Sequence, residues 1–160
     1  MVRPYGFHPA AFKAYILACY RAGVDPDRVS QTIGNAKASA GYHARDGVMM
    51  DGVIPRAYCA ATDIGVRGLS DEKIKTLLER LAEVGFFGWY RHTGSFANNR
   101  HIHFVWAACK MKPQLRGQFH DWVHNRNGLV GHGWEEFFTP TQAMDDYLRT
   151  QFFKYNPQTD

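Results

Sequence analysis

Cysteine is scarce in this chain of 160 residues: Cys19, Cys59 and Cys109 stand far apart and form no CxxC pair. An odd, widely spaced set of three excludes a disulfide framework and a cysteine-built metal site. It fits small core residues in a reducing compartment. No apolar run approaches the roughly 20 residues of a membrane-spanning helix. The N-terminal Met-Val-Arg-Pro-Tyr-Gly-Phe-His lacks the about 7–15 apolar residues of a signal peptide, so synthesis in the cytoplasm is expected. Release to a cell wall would then need another route. Blocks of consecutive Lys or Arg are absent too. The formal net charge of +4 is therefore a weak bias toward anionic polymers, and no nucleic-acid motif accompanies it. Nucleic acid is not an expected partner.

Histidine is abundant by contrast, with eight residues, and aromatic residues reach 14%. The rings must fill a core or line a groove. Histidine is the commonest metal ligand and the usual acid/base near neutrality.

The punctuation of the chain predicts its elements. Pro9 and Gly23 bracket a helix over 9–22, with Phe12, Tyr15, Ile16, Cys19 and Tyr20 on its core face. A weak extended segment is expected around 29–33. Residues 34–56 read as a loop, with room for a short hairpin at Asp46-Gly47 and Asp51-Gly52. Residues 58–66 read as a strand. Ser70 caps a helix carrying Ile74, Leu77, Leu78, Leu81 and Val84, stopped by Gly85. Strands follow at 86–90 and 101–107, then helices begun by Pro113 and Pro140, and a frayed tail. The expected fold is α+β: a small, mostly antiparallel sheet with helices packed on it. It forms one domain over 1–160, with residues of about 113–155 as a C-terminal helical extension.

Chemistry concentrates in three places. His101 and His103 are two apart on a strand, so they share a face. Asp63 stands in an otherwise apolar run, where a carboxylate needs a cation, an arginine or several N–H donors. His43 lies in a Gly/Ala-rich loop that leaves it accessible. Two histidines and one carboxylate match catalytic zinc sites and also non-haem iron sites. Asp46 and Asp51 are rival carboxylates.

Gly41-Tyr42-His43, Ala61-Thr62-Asp63-Ile64 and His101-Ile102-His103 together resemble the M15 family of zinc peptidases. That family includes D-Ala-D-Ala carboxypeptidases, phage endolysins and the Hedgehog-type fold. The resemblance covers about residues 9–107. It implies a Hedgehog/DD-peptidase-like fold and one zinc ion per chain on His43, Asp63 and His103. It also implies hydrolysis of peptidoglycan stem peptides or other small peptides, by a carboxypeptidase or endopeptidase route.

Two features depart from the family pattern. Asp63 follows His43 by 20 residues, a wider gap than the family's, and residues 46–58 read as an inserted loop or hairpin. The family's acidic base would fall at Arg100. His101 is the substitute, as in a related branch of murein endopeptidases. Arg56, or Arg45, is the expected cation for a developing oxyanion. Tyr42, Trp89 and Tyr90 are candidate groove residues. The missing acidic base also admits a non-catalytic zinc-binding module with cell-wall or protein partners.

Overall fold

A cap and a stop define each helix before any packing is considered. In the computed structural model, which describes residues 1–34 and 41–158, α1 spans Pro9–Ala22. His8 caps it by accepting from the Ala10 N–H, and Gly23 ends it at φ 62°, a left-handed conformation that favours glycine. Strand β1 is Val29–Gln31, and β2 (Gly47–Asp51) and β3 (Ile54–Tyr58) form a hairpin around Gly52-Val53. Strand β4 is Ala61–Gly65, and α2 is Asp71–Glu83, capped by Ser70. Then come β5 (Phe86–Arg91), a single 3-10 turn at Gly94–Phe96, and β6 (His101–Trp106). Two helices follow, α3 (Pro113–Val123) and α4 (Gln142–Tyr155).

The expected elements are there, with local shifts. The last helix starts after Thr141, whose hydroxyl accepts from the Met144 N–H, so Pro140 lies just outside the helix. Residues 46–58, expected as a loop or hairpin, carry the β2–β3 hairpin. Residues 35–40 of the expected loop, and the last two residues of the expected frayed tail, lie outside the described residues.

The main sheet is antiparallel, in the order β1-β4-β6-β5. One face carries Ile64, Ile102 and Phe104, with Tyr15 of α1 stacked on Phe104 at 5.7 Å. Ile74, Leu77 and Leu81 of α2 are fully buried, each stabilising the fold by about 1.5–3 kcal/mol. On the other face Phe119 and Trp122 of α3 pack on Phe87, and Phe152 of α4 stacks on Phe119 at 3.8 Å. The sheet is therefore covered on both sides, and every residue of β5 and β6 is buried.

The buried stripe of α1 is Ala11, Tyr15, Ala18, Cys19 and Ala22, while Tyr20 is 83% exposed. The alanines let α1 approach closely, and they outrank the larger rings in choosing the face. All three cysteines are buried and unpaired, as expected. Among the described residues no helix is long and apolar enough to cross a membrane.

Candidate metal centre

Register alone brings two of the three expected ligands together. Asp63 on β4 and His103 on β6 are direct cross-strand partners, with Gln31 beyond Asp63 and Trp89 beyond His103. Such partners share a face and sit about 4.5–5.5 Å apart at Cβ. The next row two residues along holds Gly65, His101 and Arg91. His43 arrives from the turn before the hairpin. The ligand atoms of His43, Asp63 and His103 all lie within 4.8 Å of one another. Burial removes this cluster from bulk water: His43 is 4% exposed, Asp63 9% and His103 5%. His43 was expected in an open loop. It is buried because its ring turns inward, toward Thr32 and Asp63.

The hydrogen bonds fix which nitrogen of each ring faces the carboxylate. His43 Nδ1–H donates to the Thr32 carbonyl at 2.8 Å, because a carbonyl can only accept. Its Nε2 then points at Asp63 Oδ1, 3.1 Å away. For His103, the Gln118 amide decides. Gln118 Nε2 donates to the Gly128 carbonyl at 3.1 Å, which turns Oε1 toward His103. His103 Nε2–H therefore donates to Gln118 Oε1 at 2.9 Å, and its Nδ1 faces Asp63 Oδ1 at 2.8 Å.

Each ring thus gives its proton outward and aims a bare nitrogen at one carboxylate oxygen. Two lone pairs facing a carboxylate repel unless each nitrogen is protonated or a cation lies between. Burial pushes His103 below its ordinary pKa, against the pull of Asp63. Against the upward push of burial, the two rings, once protonated, would donate to Asp63 and hold its carboxyl below the usual range. With the ring nitrogens that face it bare, an ionised Asp63 needs positive charge from elsewhere. The cluster can hold a metal ion, and the outward bonds to Thr32 and Gln118 are the kind that orient ligating imidazoles.

The cluster opens into a cleft of about 410 Å³ lined by Tyr42, Arg91, Phe96, Asn99, His101 and the loop residues Gly128, Leu129 and Val130, among others. His101 Nδ1–H donates to the Asn99 carbonyl at 2.7 Å, which leaves Nε2 free and 3.9 Å from Asp63 Oδ2. Trp89 lies beneath: its Nε1–H donates to the Arg126 carbonyl, and Gly128 rests on the indole. Gly128 has φ 63°, and a Cβ there would meet the ring at 2.7 Å, so the loop needs glycine at this point.

Other expectations are redistributed. Asp46 is buried under Lys112, accepting from the Ala60 and Lys112 backbone N–H groups. Asp51 pairs with Arg3 and Arg56. Neither carboxylate belongs to the cluster. Arg56 does not reach the site either: β3 carries it to Asp51, at 3.2 Å, and to a separate cavity beside Arg3 and Tyr58. The hairpin, which forms its own sheet, takes it away. Arg45 is exposed and does not line the cleft, while Tyr42 does and Trp89 and Tyr90 are core residues.

Among the described residues Arg91 is the one lysine or arginine that lines the cleft. It is 5% exposed, and burial pushes its guanidinium down to about 10, still protonated at neutrality. Sequence reading passed over both Arg91 and Gln118. Gln118 left one trace, a polar residue on the apolar stripe of Leu115, Phe119 and Trp122. Comparison of the chain with protein-family models, curated proteins and solved structures finds no match.

Proposed function

We propose that His43, Asp63 and His103 hold one zinc ion and that the chain hydrolyses peptide bonds in small peptides, peptidoglycan stem peptides foremost, on a Hedgehog/DD-peptidase-like fold. The observation that carries the metal is the pair of bare ring nitrogens converging on Asp63 Oδ1. Two imidazoles and a carboxylate form a donor set that zinc accepts while keeping a position open. When bound, zinc would polarise a carbonyl and lower the pKa of a coordinated water. The residues of the chain supply the rest. Thr32 and Gln118 hold the two rings in the required tautomers. His101 presents Nε2 to the cleft, oriented by Asn99, as the acceptor for a proton. Leu129 and Val130 give the rim apolar contact for a peptide.

Purified protein should carry close to one zinc per chain by elemental analysis, and His103→Ala should lose it. Hydrolysis of stem peptides should disappear in that variant. His101→Ala should keep the metal and lose turnover. One observation favours a second reading, a zinc-binding module without catalysis: Asp63 is the only carboxylate lining the cleft among the described residues. Zinc retained with no hydrolysis of any stem peptide would establish that reading instead. Iron in place of zinc would overturn the hydrolytic assignment.

A further inference from the structure

Arg91 lies on β5 directly across from His101, so its side chain rises from the same sheet face, one row from the metal cluster. Its guanidinium sits over the Trp89 ring at 5.0 Å and the Phe96 ring at 6.0 Å. Nη1 donates to the Asn127 carbonyl. Among the described residues Nε and Nη2 have no hydrogen-bond partner, and no carboxylate stands within ion-pair distance of the group. Glu135 exerts some attraction, but its Oε1 accepts from the Phe137 and Phe138 N–H groups. Arginines this deeply buried are ordinarily paired.

We propose that Arg91 binds a carboxylate of the ligand and so determines which peptides the cleft accepts. This deepens the peptidase reading and rests on it for the ligand being a peptide. Two facts favour an anion of this shape. The free Nε and Nη2 form the side of the guanidinium fork that matches a carboxylate bidentately. With a divalent ion bound, as proposed, the Asp63 carboxylate and the Arg91 guanidinium would also leave a net two positive charges among the described residues of the cleft. The carboxylate has two sources, the C-terminus of a peptide or an acidic side chain within it. Arg91 serves both by the same chemistry.

The test is calorimetric titration of the full chain, as purified and after zinc loading, with metal content measured in parallel. The probes are acetyl-trialanine, its C-terminal amide, and the amide of acetyl-Ala-Glu-Ala, with alanine in either configuration. The acid should bind at least about tenfold more tightly than its amide. Arg91→Gln should erase that difference while zinc content stays unchanged. Arg91→Lys, which keeps the charge and loses the fork, should retain part of it and covers the case of a misfolded glutamine variant. Recovery of tight binding by the Glu-containing amide would identify the side chain as the source, and its failure would identify the C-terminus. Equal binding of all three probes, no binding of either carboxylate-bearing probe at millimolar concentration, or a preference that survives in Arg91→Gln would overturn the proposal. Zinc without acid preference defeats Arg91 alone; acid preference without zinc defeats the metal reading alone.

Discussion

Gln118 offers the sharpest test of the metal cluster, because it touches no expected ligand atom and yet fixes one. Replacement by leucine keeps the volume and removes both bonds, the one from His103 Nε2–H and the one to the Gly128 carbonyl. His103 is buried, so its Nε2–H would be left without an acceptor at a cost of about 1–3 kcal/mol. The ring escapes that cost by moving its proton to Nδ1, the nitrogen aimed at Asp63. There the proton competes directly with a metal. Loss of such an outer partner lowers metal affinity about 10–100-fold, equivalent to roughly 1.4–2.7 kcal/mol. The assay is competition for zinc against a chromophoric chelator. Thermal unfolding in excess chelator separates loss of metal from loss of fold. Gln118→Glu is the control: a carboxylate accepts from Nε2–H more strongly than an amide does, so this variant should keep the metal. Affinity for Gln118→Leu within twofold of the parent, with the fold intact, would refute the tautomer argument.

Alkaline pH should weaken the fold through its buried thiols. Burial pushes Cys19 up to about 11 and Cys59 up to about 12, and raises Cys109 as well. Raised folded-state values mean that this stabilisation is complete below the ordinary thiol value of 9.0 and is lost as pH climbs through 11 to 12. The midpoint of urea denaturation should therefore fall from pH 9 upward, and Cys59→Ala should flatten the slope; a midpoint flat to pH 11 would contradict it. Asp46→Ala should destabilise the chain by about 3–5 kcal/mol, since it strips Lys112 of a buried partner at 2.8 Å and leaves two N–H groups unpaired. Urea denaturation measures that loss directly, and a change under 1 kcal/mol would show that water replaces the carboxylate.

The parts of the site that were legible in the sequence are those set by local period. His101 and His103 share a face because a strand alternates, and Asp63 declared itself by standing in an apolar run. Their meeting required only that β4 and β6 pair in register, which two neighbouring antiparallel strands with buried faces enforce, since a slip of one residue would turn Asp63 into the opposite core. His43 was legible as a residue but not as a buried one, because its inward turn depends on a carbonyl of another segment, Thr32. Arg56 was misplaced for the reverse reason. Nearness in sequence to His43 and Asp63 suggested nearness in space, and the β2–β3 hairpin breaks that link by folding on itself.

Gln118 carries no period that marks it, and Arg91 shares the alternation of β5 but stands one residue past the strand expected at 86–90. Gln118 acts from α3, which packs on the sheet through Phe119 and Trp122. Arg91 ends β5, where Phe96 of the following turn and the Asn127 carbonyl from the segment after α3 contact its guanidinium. The division is physical. The meeting of Asp63 and His103 follows from strand register, a local property that alternation exposes. Thr32 and Gln118, which fix the ring tautomers, lie outside that strand pair, so only tertiary packing reveals them. That division also explains why conservative changes at Gln118 or Arg91 should alter affinity and selectivity while leaving the sheet and its triad in place.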